Sequence, residues 1–150
     1  MTLLTVEDLN VKFDTDEGRI TAVENVSFEI NAGEVLGLVG ESGSGKTVTA
    51  KSLMQLNPSN AVYSSESGIH LDLESGVVEV LSLKSSRELE IVRGGAISMI
   101  FQEPMASFAP AITIGNQMVE QLLIHTSLSK RECSELSVEM LERVRIDEAG

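Results

Sequence analysis

A chain of 150 residues with 42% hydrophobic content can bury one ordinary core, and it has no apolar stretch near the ~18 residues of a membrane span. A net charge of −12 with 3% aromatic residues argues against nucleic acid as a partner, because neither a phosphate-neutralising face nor a stacking platform is available. Cys133 is the single cysteine, so no internal disulfide forms, and the acidic start Met1–Asp8 lacks the basic opening of a signal peptide. Both features suit the cytoplasm.

In chain order, residues 3–13 and 20–30 predict two strands. Val6, Leu9, Val11 and Phe13 are apolar in the first, and Ala22, Val26, Phe28 and Ile30 in the second. Asp14–Gly18 is the polar turn between them. Asn31-Ala32-Gly33 turns the chain into Glu34–Val39, which reads as a short strand apolar on both faces. A helix is expected over Val48–Leu56 and is stopped by Asn57-Pro58. The Ser-rich stretch 59–68 predicts a loop, and Ile69, Leu71 and Leu73 alternate as a half-buried strand before a turn at Glu74-Ser75-Gly76. Ser85 and Glu88 form a capping box for a helix to Val92, ended by Arg93-Gly94-Gly95, and Ile97–Phe101 reads as a further strand apolar on both faces. Gly115–Thr126 has helical spacing, and Ser129 with Glu132 is a second capping box ahead of a helix carrying Leu136, Met140, Leu141 and Val144.

One run carries chemistry. Gly40-Glu41-Ser42-Gly43-Ser44-Gly45-Lys46-Thr47 fits G-x-x-x-x-G-K-S/T at every fixed position, between an apolar run and a helix. Glycines let successive N–H groups point inward at phosphate oxygens. Lys46 is placed to face the β- and γ-phosphates, and the Thr47 hydroxyl to ligate Mg²⁺. The N-terminus of the following helix, which should begin near Lys46 and includes Val48, favours the same anion. His70 and His125 read as surface histidines, and Cys133 as an ordinary helix residue.

Taken together, these residues resemble the ATP-binding subunits of ABC transporters, particularly the oligopeptide/dipeptide importers. The resemblance is carried by Ala22–Phe28, by Gly37–Ala50, by Met99-Ile100-Phe101-Gln102-Glu103-Pro104-Met105 and by Thr113–Gln117. It implies an α/β fold: a partial P-loop NTPase core with an antiparallel β-subdomain, over about residues 1–101, and the start of a helical subdomain, over about 102–150. It implies ATP and Mg²⁺ as cofactors, Gln102 as the Q-loop glutamine sensing Mg²⁺ and the γ-phosphate, and Phe13 as the aromatic stacked on adenine. Residues near 103–118 would meet the transmembrane permease subunits, a second ATP-binding subunit would complete the site, and the protein would lie on the inner face of the cell membrane. Ser107-Phe108-Ala109-Pro110 departs from the family's usual Ser-Leu-Asn-Pro, and residues 59–81 do not match closely. The family's signature, Walker B aspartate, catalytic glutamate and switch histidine are expected beyond Gly150, so the expectation is a truncated chain with poor turnover alone. Two other readings stand beside it: a non-catalytic nucleotide-binding fragment that self-associates as a homo-oligomer, and an ABC-type ATPase outside transport.

Overall fold

The computed structural model describes residues 1–146. They fall into two compact units, residues 1–97 and residues from 98 onward. The first is built on a 5-stranded antiparallel sheet in the order β2-β1-β4-β5, with β3 also on β1. The strands are β1 (Thr2–Thr15), β2 (Gly18–Asn31), β3 (Ala61–Tyr63), β4 (Gly68–Leu73) and β5 (Gly76–Glu79). Two short helices, α1 (Lys46–Ser52) and α2 (Ser86–Val92), complete the unit together with a 3-10 turn at Val80–Ser82.

β1 organises this unit. One edge pairs with β2 along its whole length, and the other is shared by β4, along Leu4–Glu7, and β3, along Val11–Phe13. Strict alternation would send Leu4 and Val6 to one face and Leu9 and Val11 to the other. All four are nevertheless buried. The phase is reset by a bulge between Val6 and Leu9, where Asp8 takes a left-handed φ of +43°. A second bulge on β2 restores the pairing, with Asn25 at φ +51°. Asp and Asn tolerate that conformation better than other side-chain-bearing residues. The Asn10 side chain holds both bulges, donating to the Asp8 carbonyl at 2.8 Å and accepting from the Asn25 amide at 3.1 Å. The resulting face packs with Val23, Met54, Ile69, Leu71, Val80 and Val92 as the core.

The second unit contains a 3-10 turn at Pro104–Ser107 and the helices α3 (Ile114–His125) and α4 (Lys130–Arg143). Val119, Cys133 and Ser137 are buried in this unit. The Gln117 side chain accepts from Ala109 N at 3.0 Å and donates to the carbonyls of Ala109 and Ile112 at 3.1 and 2.8 Å, which ties the preceding loop to α3.

Several expectations are corrected. The run Glu34–Val39 forms no strand, and Val35 and Val39 are 95% and 93% exposed. At Ile97–Phe101 only an isolated parallel bridge from Arg93 to Ile97 remains, and Ile100 is 99% exposed. Both runs have the composition of two-sided strands, but a strand needs a neighbour for its backbone groups. No ladder reaches either run among the described residues, and the sheet that forms is the antiparallel one expected of the β-subdomain. Residues 59–68, expected as loop, contain β3, and β5 was not anticipated. α1 begins at Lys46, where the sequence places its start, but ends sooner than Leu56, because the chain leaves the helix toward Gln55 at φ +49°. His70, with 37% of its side chain exposed, has surface neighbours: Nδ1 lies 2.9 Å from Glu79 and Nε2 3.5 Å from Glu7, spanning β4, β5 and β1.

Both capping boxes form completely. Ser85 and Ser129 accept from the backbone N–H of Glu88 and Glu132, whose carboxylates accept from the serine N–H in return. The Ser85 amide holds the Glu88 carboxyl below its ordinary pKa, and the Ser129 hydroxyl, followed by its amide, does the same for Glu132. A folded-state pKa below the unfolded one gives stability that is present above the unfolded value and lost as pH falls through the folded one. The thermal midpoint should therefore drop on acidification below the ordinary glutamate value of 4.5. Glu132→Gln should lose part of that acid dependence, as followed by circular dichroism at a series of pH values.

Candidate functional site

The loop Gly40–Thr47 is shaped by a bulge in β2. Between Val11 and Lys12 the register slips against Val23 and Thr21, so Ala22 is the extra residue. A Cβ on Gly45 would collide with the carbonyl oxygen of Ala22 and lie 3.2 Å from Val23 Cγ2. Gly45 also sits at φ +86°, so only glycine satisfies both the conformation and the approach. It is the N-cap of α1, and its carbonyl accepts from Thr49 N at 2.8 Å. A second close approach occurs at Gly40, where a Cβ would fall 2.6 Å from Ser44 Oγ.

Lys46 is folded back over its own loop. Its Nζ donates to the carbonyls of Gly40 at 2.8 Å and Glu41 at 2.6 Å, with Ser44 Oγ at 3.3 Å. The ammonium is thereby held where a phosphate oxygen could replace a carbonyl as its acceptor. Gly43, Ser44, Gly45, Lys46, Thr47, Val48 and Ala22 line a cavity of about 170 Å³. That is smaller than the roughly 300–1,000 Å³ of whole-ligand pockets and suits a phosphate chain. Glu41, Ser42, Gly43, Ser44 and Thr47 are exposed, while Gly45, Lys46 and Val48 are half-buried, so backbone amides and the Thr47 hydroxyl are accessible. A larger cleft of about 430 Å³ bordered by Asn10, Lys12, Arg19, Asn25 and Tyr63 lies elsewhere on this unit. Its Arg19 is already paired with Asp14 at 2.6 Å.

The structure thus brings together the sequence-predicted residues from Gly40 to Val48. Phe13 lies two residues beyond Val11 on the same face of β1, and Val11 pairs with Val23, which contacts the Gly45 position. It is half-buried. Gln102 belongs to the second unit and is exposed, as are Met105 at 76% and Phe108 at 39%. Ala22 also lines the cavity and carries no sequence signal for it, because the bulge that turns its carbonyl inward depends on pairing with β1.

Fold and loop define a P-loop nucleotide-binding domain of α/β class. The chain belongs to the ABC transporter family, whose model matches residues 23–149. It is 44% identical to the oligopeptide transport ATP-binding protein OppD of Salmonella typhimurium over 147 residues, covering 98% of this chain and 42% of that protein. It is 42% identical to the glutathione import ATP-binding protein GsiA of Escherichia coli (strain K12), covering 98% of this chain and 24% of that one. The chain therefore spans less than half the length of these relatives. In fold it is similar to the ATP-binding cassette MJ0796, solved as a dimer in a post-hydrolysis state with ADP and Pi. The TM-score is 0.76 at 22% identity, over 97% of this chain and 59% of that one.

Gly45→Ala forces an unfavourable φ and a backbone collision, so the chain should lose more than about 1 kcal/mol of stability. Ser42→Ala, at an exposed loop position, should leave stability within about 0.5 kcal/mol. Urea unfolding of the two variants beside the parent checks both outcomes.

Proposed function

We propose that this chain is the nucleotide-holding part of an ATP-binding subunit that powers peptide import. The observation that carries the reading is the loop itself: Gly45 locked against the Ala22 carbonyl, with Lys46 held over Gly40 and Glu41. The oligopeptide and glutathione import functions named for the relatives supply the substrate class.

In this reading the loop amides from Gly43 to Val48 and the Lys46 ammonium receive the phosphates of ATP. Charge-assisted hydrogen bonds of this kind are the strong ones, and they fix the phosphate chain as well as neutralising it. The exposed Thr47 hydroxyl would hold Mg²⁺, being a neutral oxygen donor of the type that ion accepts. The metal supplies charge neutralisation across the phosphate oxygens when bound. Phe13 would cover the adenine face, a contact that needs no donor. The loop residues near 103–118, with exposed Met105 and Phe108, would meet the permease subunits, and a second ATP-binding subunit would complete the site. No helix among the described residues is long and apolar enough to cross a membrane, so attachment to the inner face of the membrane would run through those permease contacts.

A second reading, a nucleotide-binding chain that self-associates, is favoured by the exposure of Val35, Val39 and Ile100. Apolar segments without ladder partners recruit other chains. Light scattering coupled to gel filtration at micromolar concentration should show a homodimer or larger species, and a monomer would remove this reading.

Lys46→Ala tests the first. Losing one charge-assisted hydrogen bond, worth about 1.5–3 kcal/mol, should weaken Mg-ATP binding by roughly tenfold or more in calorimetric titration. Equal affinity in variant and parent removes the loop from the account.

A further inference from the structure

α1 has only seven residues. A helix that short cannot hold its own shape in water, so packing and side-chain contacts decide where its first turn points. One end is fixed by Gly45 against Ala22. At the other, the chain leaves the helix through Met54 and Gln55, whose carbonyls have no helical partner ahead of them. Arg93 closes this end. Its Nε donates to the Met54 carbonyl at 2.8 Å and its Nη2 to the Gln55 carbonyl at 2.6 Å, so two nitrogens of one rigid plane hold the two carbonyls, where an ammonium would have to reach both from a single nitrogen. Arg93 is the C-cap of α2, it is half-buried, and no carboxylate pairs with it among the described residues. The two side-chain hydrogen bonds it makes both go to main-chain carbonyls. The side-chain amide of Gln55 reinforces the contact by donating to the carbonyls of Val80 and Leu83. Asn57 Nδ2 adds a third tie, within reach of Val48 O at 3.1 Å, Ser52 Oγ at 2.9 Å and Tyr63 Oη at 3.0 Å.

We infer that Arg93 is a positioning residue for phosphate binding: by clamping the carbonyls of Met54 and Gln55 it fixes the axis of α1 and with it the aim of the loop amides and Lys46. It touches no phosphate itself. A rod held at both ends keeps its direction; without the clamp the far end of α1 keeps only its packing and the Asn57 ties, and Gly45 resists pivoting least of all residues. The inference deepens the nucleotide-binding reading, yet the helix it concerns can be observed without nucleotide.

The test is amide hydrogen exchange and Mg-ATP titration of the 150-residue chain beside Arg93→Ala and Arg93→Lys. In Arg93→Ala the amides of α1 should exchange about tenfold faster while those of β1 and β4 keep their protection, and Mg-ATP affinity should fall by about tenfold. Millimolar guanidinium chloride, filling the vacated fork, should recover both in the alanine variant and change neither in the parent. Arg93→Lys keeps the charge without the fork and should show the same selective loosening to a smaller degree, about threefold, which decides the matter should the alanine variant fail to fold. Unchanged exchange in α1 overturns the inference. So does equal loss of protection across β1 and β4, which would make Arg93 a general support of the fold. A parent chain that binds no Mg-ATP ends the nucleotide-binding reading, while α1 exchange and guanidinium rescue still decide the role of Arg93.

Discussion

The contact on which the first unit's chemistry rests is between the Ala22 carbonyl and Gly45. It joins the long hairpin to the phosphate-binding loop with no space for a side chain. Two backbone irregularities make it: an extra residue in β2 and a left-handed glycine ahead of α1. Neither is useful alone. The bulge turns a carbonyl out of the ladder, and the glycine accepts it at a distance that any Cβ would forbid. The loop's curvature is thereby set by the sheet, and Lys46 needs only to fold back onto carbonyls that the curvature already presents.

The same economy appears in β1. Its four buried residues come from two different alternation phases, reconciled at Asp8. The Asn10 side chain replaces the ladder bonds that the two bulges interrupt, donating on one side and accepting on the other. Ser67 Oγ, which accepts from Asn10 N at 2.9 Å and donates to the Asp8 carbonyl at 3.0 Å, fills the gap left between β3 and β4 on the far edge. Polar side chains thus carry the main-chain accounting wherever the strand bends, and the apolar ones are left free to converge.

What the residues disclosed and what they withheld follow from the range of the interactions concerned. The capping boxes at Ser85 and Ser129 are closed by residues three positions away, and the phosphate-binding loop is a single contiguous run, so both were legible. β3 was hidden in a Ser-rich stretch because its pairing with Val11–Phe13 is what makes it a strand. Val35–Val39 failed in the opposite way: the composition of a two-sided strand is present, and the neighbouring strands are not found among the described residues. The clamp of Arg93 on Met54 and Gln55 left no mark at all, since a side chain bonding to carbonyls leaves its partners' identities unconstrained.

That last property has another instance in the loop ahead of α3. Gln117 grips it through the amide and carbonyl of Ala109 and the carbonyl of Ile112, atoms every residue but proline possesses in full. The course of this loop is therefore indifferent to most of the side chains it displays. Ser107, Phe108 and Ala109 can change without loosening the anchor, provided position 109 keeps its amide. Shape is inherited from the helix behind it, and the outward residues are released to drift with whatever surface they face.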